Sequence, residues 1–464
     1  MQRLLKQFMK LYHKMKPNIL FVLIDGLRAD QIFSKNKTSH TPFLDSMISS
    51  GIFFENTFSS SDGTTTSLNC TFNSRFQFET GVRARKIILL ENNHLETLKN
   101  SGYKIVGIIP NLKSLKPLSE YFENDGKTFE IGPPPETLPT GMTEKIKLLI
   151  KSLDKKQPWF CYLHLFDLHP LREGKIPQKI EDFNSERYGD SDYSKTVSSI
   201  DHWLNKILEN VDFDNTLLVI TADHGERIPF EGKHVTDFEP DLENLTDAGK
   251  NVLPKFTHKI GGRILGNFKQ KYGKIKMNYV NKELSPYQKR SIDPYFTMSL
   301  FDELLHVPFL LKGLNLPQKI ISKQISTLRI FPTVFDLANI PNKDSFRTKS
   351  LIKTINNEND LYEEEIFLHT SPYENESSTD MIGLRTENYK YFRHARNSKE
   401  NIHLYDLEND PEENNNISEN ENKLVLEMEK LLGKIQSDSI YSDNDITDEE
   451  EEEISKELRK LGYL

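Results

Sequence analysis

Unbroken apolar runs recur along the chain at intervals that suit a layered α/β fold. Asn18 to Asp25 reads NILFVLID, a stretch of strand formers closed by Asp-Gly. A run without polar alternation is expected of a strand covered on both faces, as in a parallel sheet. The pattern returns at Tyr103 to Pro110 (YKIVGIIP), Trp159 to Phe166 (WFCYLHLF) and Thr216 to Ala222 (TLLVITA). Between these runs, Thr41 to Gly51 sets Phe43, Leu44 and Met47 at helical spacing and ends on glycine. Helices are also expected around Leu95 to Ser101 and from Tyr193 to Leu208. Strands alternating with helices predict βαβ units and a mostly parallel central sheet flanked by helices.

From Val235 to Phe296 the periodicity gives way to a polar, Lys-rich insertion. After Asn342 the expected strands are short: Ile366 to His369, Met381 to Thr386 and Tyr389 to Arg393. Lys423 to Ile435 has the spacing of an amphipathic helix, and Ile454 to Leu464 that of a closing one. The expected organisation is an N-terminal extension at 1–16 and a large α/β domain over 17–341 with an insertion at 235–296. A smaller α+β domain with an antiparallel sheet and the closing helix is expected over 342–464.

At 464 residues the chain is too long for one small core. A hydrophobic share of 36% supports packed interiors and excludes wholesale disorder. The net charge of -9 weighs against a general nucleic-acid binder. That charge is uneven, with an acidic run from Asp448 to Glu453 and a basic stretch from Lys250 to Arg290. The basic stretch reads either as a lid that guides an anionic substrate or as a solvated surface. Cys70 and Cys161 allow one disulfide at most. The first residues, MQRLLKQFMKLYHKMKPN, lack an uninterrupted apolar core. No secretory signal and no transmembrane segment are therefore expected, and the expected location is cytoplasmic. Leu4, Leu5, Phe8, Met9 and Tyr12 suit one helix face, docked on the protein's own surface or, as second choice, on a membrane.

The chemistry collects at strand ends. Asp25 follows the first run, Asp167 and His169 follow the third, and Asp223 with His224 follow the fourth. In open parallel sheets, ligands bind beyond the C-terminal ends of the strands. One such Asp is usually a cap or turn residue, but three strand ends bearing carboxylate or imidazole point to a site. Asp223-His224-Gly225-Glu226 can offer two ligands to one metal ion, with glycine permitting a sharp turn.

These segments resemble those of the sulfatase family. PNILFVLIDGLRAD is similar to the family's opening strand, TPFLDSMISSGIFFENTFS to the helix and segment after it, and NTLLVITADHGE to the later metal-ligand strand. FDELLHVPFLLKG, ISTLRIFPTVFDLANIP, IGLRTENYKYFRH and LYDLENDPEENNN follow in family order. The resemblance spans nearly the whole chain apart from the insertion. It implies an alkaline-phosphatase-like fold and a metal-dependent enzyme that cleaves or transfers a charged ester. It also implies that Asp25, Asp223 and His224 hold one divalent ion, with Ca, Mg, Mn and Zn all open.

The family starts a C/S-x-P-S-R segment with a Cys or Ser that becomes formylglycine, and Thr-Gly follows. Counting back from Arg75 makes Thr71-Phe72-Asn73-Ser74-Arg75 the counterpart, with Thr80-Gly81 beyond it. The expected nucleophile is then Thr71, with Arg75 steadying the ester oxygens and no formylglycine formed. The plain alternative is that Thr71 is a strand or cap residue. Asp167-Leu168-His169-Pro170 resembles the family's D.H.P segment, which makes His169 a ligand of the ester or a leaving-group acid and Asp167 its substrate-side neighbour. The alternative for His169 is a structural loop histidine, and His164 reads as a core one. The family's Gly-His before LFDELLHVP is Thr297-Met298 here, which leaves His234 as a candidate substitute. Its Gly-Lys-Trp-His segment is also missing, and Asn111 occupies that strand end.

The expected partner is an anionic ester, sulfate or phosphate, with glycan- and lipid-linked esters as candidates. A non-catalytic relative that keeps the fold for binding or assembly is the alternative class.

Overall fold

The structure, a computed structural model, describes residues 16–132, 135–153, 156–172, 180–229, 268–269, 271–273, 275–276, 279, 282–292, 299–341, 348–356, 365–371, 380–437 and 453. Nine described strands form the central sheet: β1 (Asn18–Ile24), β2 (Ile52–Phe58), β3 (Lys104–Pro110), β4 (Thr128–Phe129), β5 (Trp159–Leu165), β6 (Thr216–Thr221), β7 (His306–Lys312), β8 (Lys319–Ile321) and β9 (Ile325–Ser326). Their spatial order is β4-β3-β5-β1-β6-β7-β2-β8, with β9 also paired to β2. Pairing is parallel from β4 through to β6. Strand β7 runs against both of its neighbours, β6 and β2.

Alternate residues of β1 feed two cores. Ile19, Phe21 and Leu23 join Phe72, Tyr162, Val219 and Phe331 on one side. Leu20, Val22 and Ile24 join Leu163, Val197, Leu204 and Ile220 on the other. Both faces are buried, which is why the strand carries no polar alternation. Helix Asp192–Leu208 covers the second face. From it, the Asp201 carboxylate accepts the Phe43 and Leu44 N–H groups at 3.2 and 2.7 Å. Those N–H groups lie in the first turn of helix Pro42–Ser50 and have no acceptor within it.

A second, antiparallel sheet orders β10 (Ile366–His369), β11 (Met381–Arg385), β12 (Tyr389–His394) and β13 (His403–Asp406) in sequence. Helix Asn422–Ser437 packs on it through Met428 and Leu432. This sheet shares its core with the first part of the chain: Cys70, Phe76 and Leu328 join Phe367, Leu384 and Tyr391. Leu351 and Ile355 lie beyond the expected boundary at 342 and still pack into the first core. Both cysteines are free and buried. No described helix is long and apolar enough to cross a membrane. Much of the 235–296 insertion and the closing helix at 454–464 lie outside the described residues.

Candidate active site

The ends of β5, β1 and β6 lie side by side, and a buried polar cluster sits there. In the β1–β5 register Leu23 is opposite His164, and the Asp25 N–H donates to the Leu165 carbonyl at 2.9 Å. On the other side, the Asp223 Oδ1 accepts the Gly26 N–H at 3.2 Å and the His224 N–H at 3.0 Å. Gly26 takes φ +71, a left-handed turn that suits glycine and lets the chain leave β1 sharply.

Asp25 is the hub. Its Oδ2 meets His164 Nε2 at 3.3 Å, and its Oδ1 lies 3.8 Å from His169 Nδ1 and 3.9 Å from His224 Nε2. Burial opposes its charge, but the hydrogen bonds and charges of these histidines hold the carboxyl well below the usual carboxylate range. Asp223 moves the other way, raised by burial and then by the Asp25 charge. Its Oδ2 is buried and has no hydrogen-bond partner.

One ligand atom each from Asp25, His164 and Asp223 fall within 4.8 Å of one another. Two adjacent buried carboxylates, one with an orphaned oxygen, together with imidazole nitrogen form a donor set that fits a divalent cation. His164 therefore departs from its expected place as a plain core residue, although its Nδ1 does face the Tyr162 hydroxyl at 3.3 Å.

The hydroxyl at this cluster belongs to Thr64. Its Oγ1 lies 3.2 Å from Asp25 Oδ2 and 3.1 Å from His224 Nε2. Thr64 opens helix Thr64–Asn73, whose ten residues are all buried. The helix end adds outward-facing N–H groups and the positive end of its dipole, a setting that favours anions. His224 Nδ1 is 2.6 Å from the Gly225 carbonyl. A carbonyl only accepts, so Nδ1 carries a hydrogen, while the single hydrogen of the Thr64 hydroxyl is shared out between Asp25 Oδ2 and His224 Nε2. Two residues before Thr64, the Asp62 carboxylate accepts N–H groups from Ser299 at 3.0 Å and Ser371 at 2.8 Å. That bond ties the helix entrance to both the end of the insertion and the end of β10.

Thr71 lies on the same helix, seven residues on and about 10 Å along the axis. Arg75 follows the far end, where its N–H donates to the Cys70 carbonyl at 3.3 Å and its guanidinium reaches Glu79 at 3.4 Å. The register counted back from Arg75 therefore leads to the end of the helix away from Asp25. Counted from Thr64, the motif reads Thr64-Thr65-Thr66-Ser67-Leu68, which keeps the serine and lacks the Pro and Arg.

His169 joins the cluster and stacks on Phe166 with centroids 4.0 Å apart. Asp167 is buried, and its Oδ1 accepts the Leu138 N–H at 2.9 Å. Burial raises its carboxyl to about 7, against that hydrogen bond. Asn111 is exposed beyond β3 and donates to Glu130 at 2.9 Å, two strands from β1. His234 lies outside the described residues.

Comparison with known proteins places this geometry. The family model "Sulfatase" matches residues 17–340, and "N-sulphoglucosamine sulphohydrolase, C-terminal" matches residues 294–438. The fold is alkaline-phosphatase-like, and the chain belongs to the sulfatase family. Arylsulfatase K of Mus musculus is 21% identical over 355 residues, covering 73% of this chain and 57% of its own. An ulvan-active sulfatase of Formosa agariphila is 25% identical over 283 residues, covering 53% and 55%. The chain thus spans about half the length of these curated relatives. Among solved structures, a 2-O GAG sulfatase superposes with TM-score 0.62 at 18% identity over 93% of this chain and 95% of its own. The phosphonate monoester hydrolase of Agrobacterium radiobacter does so with TM-score 0.61 at 14% identity over 92% and 96%.

Proposed function

We propose that the protein is a metal-dependent hydrolase of sulfate or phosphate esters in which Thr64, rather than Thr71, is the nucleophile. The observation that carries this is the Thr64 hydroxyl, held between Asp25 and the Nε2 of His224 at a helix N-terminus.

In this reading Thr64 Oγ1 gives its proton to His224 Nε2 and bonds to the phosphorus or sulfur. The alcohol leaves with a proton that His169 gives in this reading. Water then attacks the Thr64 ester, releases the inorganic anion and restores the hydroxyl. The N–H groups opening helix Thr64–Asn73 face the charge on the non-bridging oxygens. A divalent ion held by Asp25, Asp223 and His164, with His224 at its edge, would supply further charge to these oxygens.

The type of nucleophile favours phosphoesters. Thr64 bears a methyl group on Cβ, so oxidation would yield a ketone and not the aldehyde that formylglycine chemistry needs. A plain hydroxyl must form and then cleave a covalent ester, which suits phosphoryl transfer. The sulfatase relatives make sulfated saccharides the other class to screen.

The test is turnover of aryl sulfate, phosphate monoester and phosphodiester substrates by metal-loaded protein, with Thr64→Ala and Thr71→Ala in parallel. Activity lost in the first variant and kept in the second supports the reading. Activity that survives Thr64→Ala removes it.

A further inference from the structure

We infer that the Lys-rich insertion carries a docking surface for an anionic lipid membrane. Within it, residues 268–269, 271–273, 275–276 and 279 are helical. Phe268, Tyr272, Ile275 and Tyr279 recur at intervals of four, three and four. At about 100° per residue of helix, that spacing in the sequence places them within an arc of about 60°, one stripe. The stripe faces solvent, with exposures of 53%, 44%, 71% and 72%. Gly273, outside the stripe, is buried. The Phe268 and Tyr272 rings lie 6.2 Å apart, so these two exposed side chains form one patch. Single apolar residues are ordinary on a surface, but four in line call for a partner.

The charge around the stripe says what that partner is. Lys269 and Lys276 flank one edge and Lys271 the other. The sequence from 268 to 282 holds five lysines and no carboxylate. Lys282 Nζ lies 4.7 Å from the Tyr279 ring centroid, which keeps an ammonium level with that ring. A second copy would set lysine against lysine. An anionic bilayer matches both features, because the rings and Ile275 enter the headgroup boundary while the lysines meet lipid phosphates.

The described residues on either side of the insertion lie at the candidate active site. The residues before it, Asp223 to Ile228, run from the site. The chain returns at Ser299, whose N–H donates to Asp62 and whose hydroxyl accepts from Arg227 at 3.0 Å. The docking inference does not depend on Thr64 being the nucleophile.

The experiment is co-sedimentation of the full chain with phosphatidylcholine vesicles, with and without phosphatidylglycerol. Binding is expected only with the anionic lipid. It should weaken with added salt and fall about fivefold in Lys276→Gln or Lys271→Gln. The double variant Ile275→Glu/Tyr279→Glu should bind at least about tenfold more weakly while turning over a soluble aryl ester normally. If that variant does not fold, the lysine variants and the salt series still decide. No binding, equal binding to neutral vesicles, or binding unchanged in the double variant would overturn the inference. So would a dimer that the double variant dissolves, or a soluble sulfated polysaccharide bound equally by both proteins.

Discussion

Thr64 and His224 are 160 residues apart in sequence, yet Thr64 Oγ1 and His224 Nε2 lie 3.1 Å apart. The contact exists because β2 delivers a helix N-terminus to the edge where β6 delivers an Asp-His pair. Removing the hydroxyl should cost about 10³-fold or more in kcat, as expected for loss of a covalent nucleophile. Thr64→Ser should keep part of the activity, and Thr71→Ala should stay within a few-fold of wild type. Steady-state kinetics on one aryl ester distinguishes these outcomes.

The orphaned Asp223 Oδ2 leads to a binding prediction that needs no substrate. Chelator-treated protein should take up a divalent ion measurable by calorimetry, and Asp223→Ala should weaken uptake by at least about tenfold. An ion present at about 100 times its Kd adds about 2.7 kcal/mol to stability and should raise Tm by several degrees in wild type only. Equal uptake by wild type and Asp223→Ala would place the ion elsewhere.

Two buried histidines, His94 and His369, and the half-buried His403 make the fold acid-sensitive. Burial lowers His94 to about 3, His369 to about 3 and His403 to about 4, all from an ordinary value of 6.5. Below pH 6.5 the unfolded chain binds protons that the folded chain refuses, so stability falls as pH drops from 6.5 toward 4. Each group contributes up to about 1.4 kcal/mol per pH unit. Neither ring nitrogen of His369 has a hydrogen-bond partner. His369→Phe should therefore flatten the dependence of the urea midpoint on pH and cost little at pH 8. An unchanged slope would mean His369 does not contribute.

Lys390 should be a stability hot spot. Its ammonium, fully buried, bridges Asp302 at 2.6 Å and Glu413 at 2.8 Å. Lys390→Met leaves two buried carboxylates with one fewer cation, and about 3 kcal/mol should be lost because Arg385 still pairs with Asp302 at 2.9 Å. Burial already lifts Glu413 to about 7, so the variant should recover part of the deficit below that pH, where Glu413 can be neutral. Denaturant midpoints at pH 6 and pH 8 provide the check.

The sheet was legible because β1, β3, β5 and β6 are covered on both faces and must be apolar throughout. Asp25, Asp223 and His224 were legible because they directly follow such strands. Thr64 was not singled out, because the count was anchored on Arg75 and the motif's Pro and Arg are absent from the register that starts at Thr64. The signal was present all the same. Gly63 and a run of three threonines follow the C-terminal end of β2, which points the same way as β1. His164 was read as a core histidine for a different reason: periodicity gives a residue's face but not which end of the strand it occupies. His164 is the penultimate residue of β5, level with the rim.

The Asp62 carboxylate, shared between the Ser299 and Ser371 amides, has a consequence for how this architecture can be recombined. A chain cut at 341 would lose one of the two amides that fix the loop before Thr64. It would also uncover Cys70, Phe76 and Leu328, which pack against Phe367, Leu384 and Tyr391. The antiparallel sheet is thus no exchangeable module: grafting a foreign C-terminal half would have to rebuild the floor beneath the helix that opens at Thr64 before any new specificity could be read.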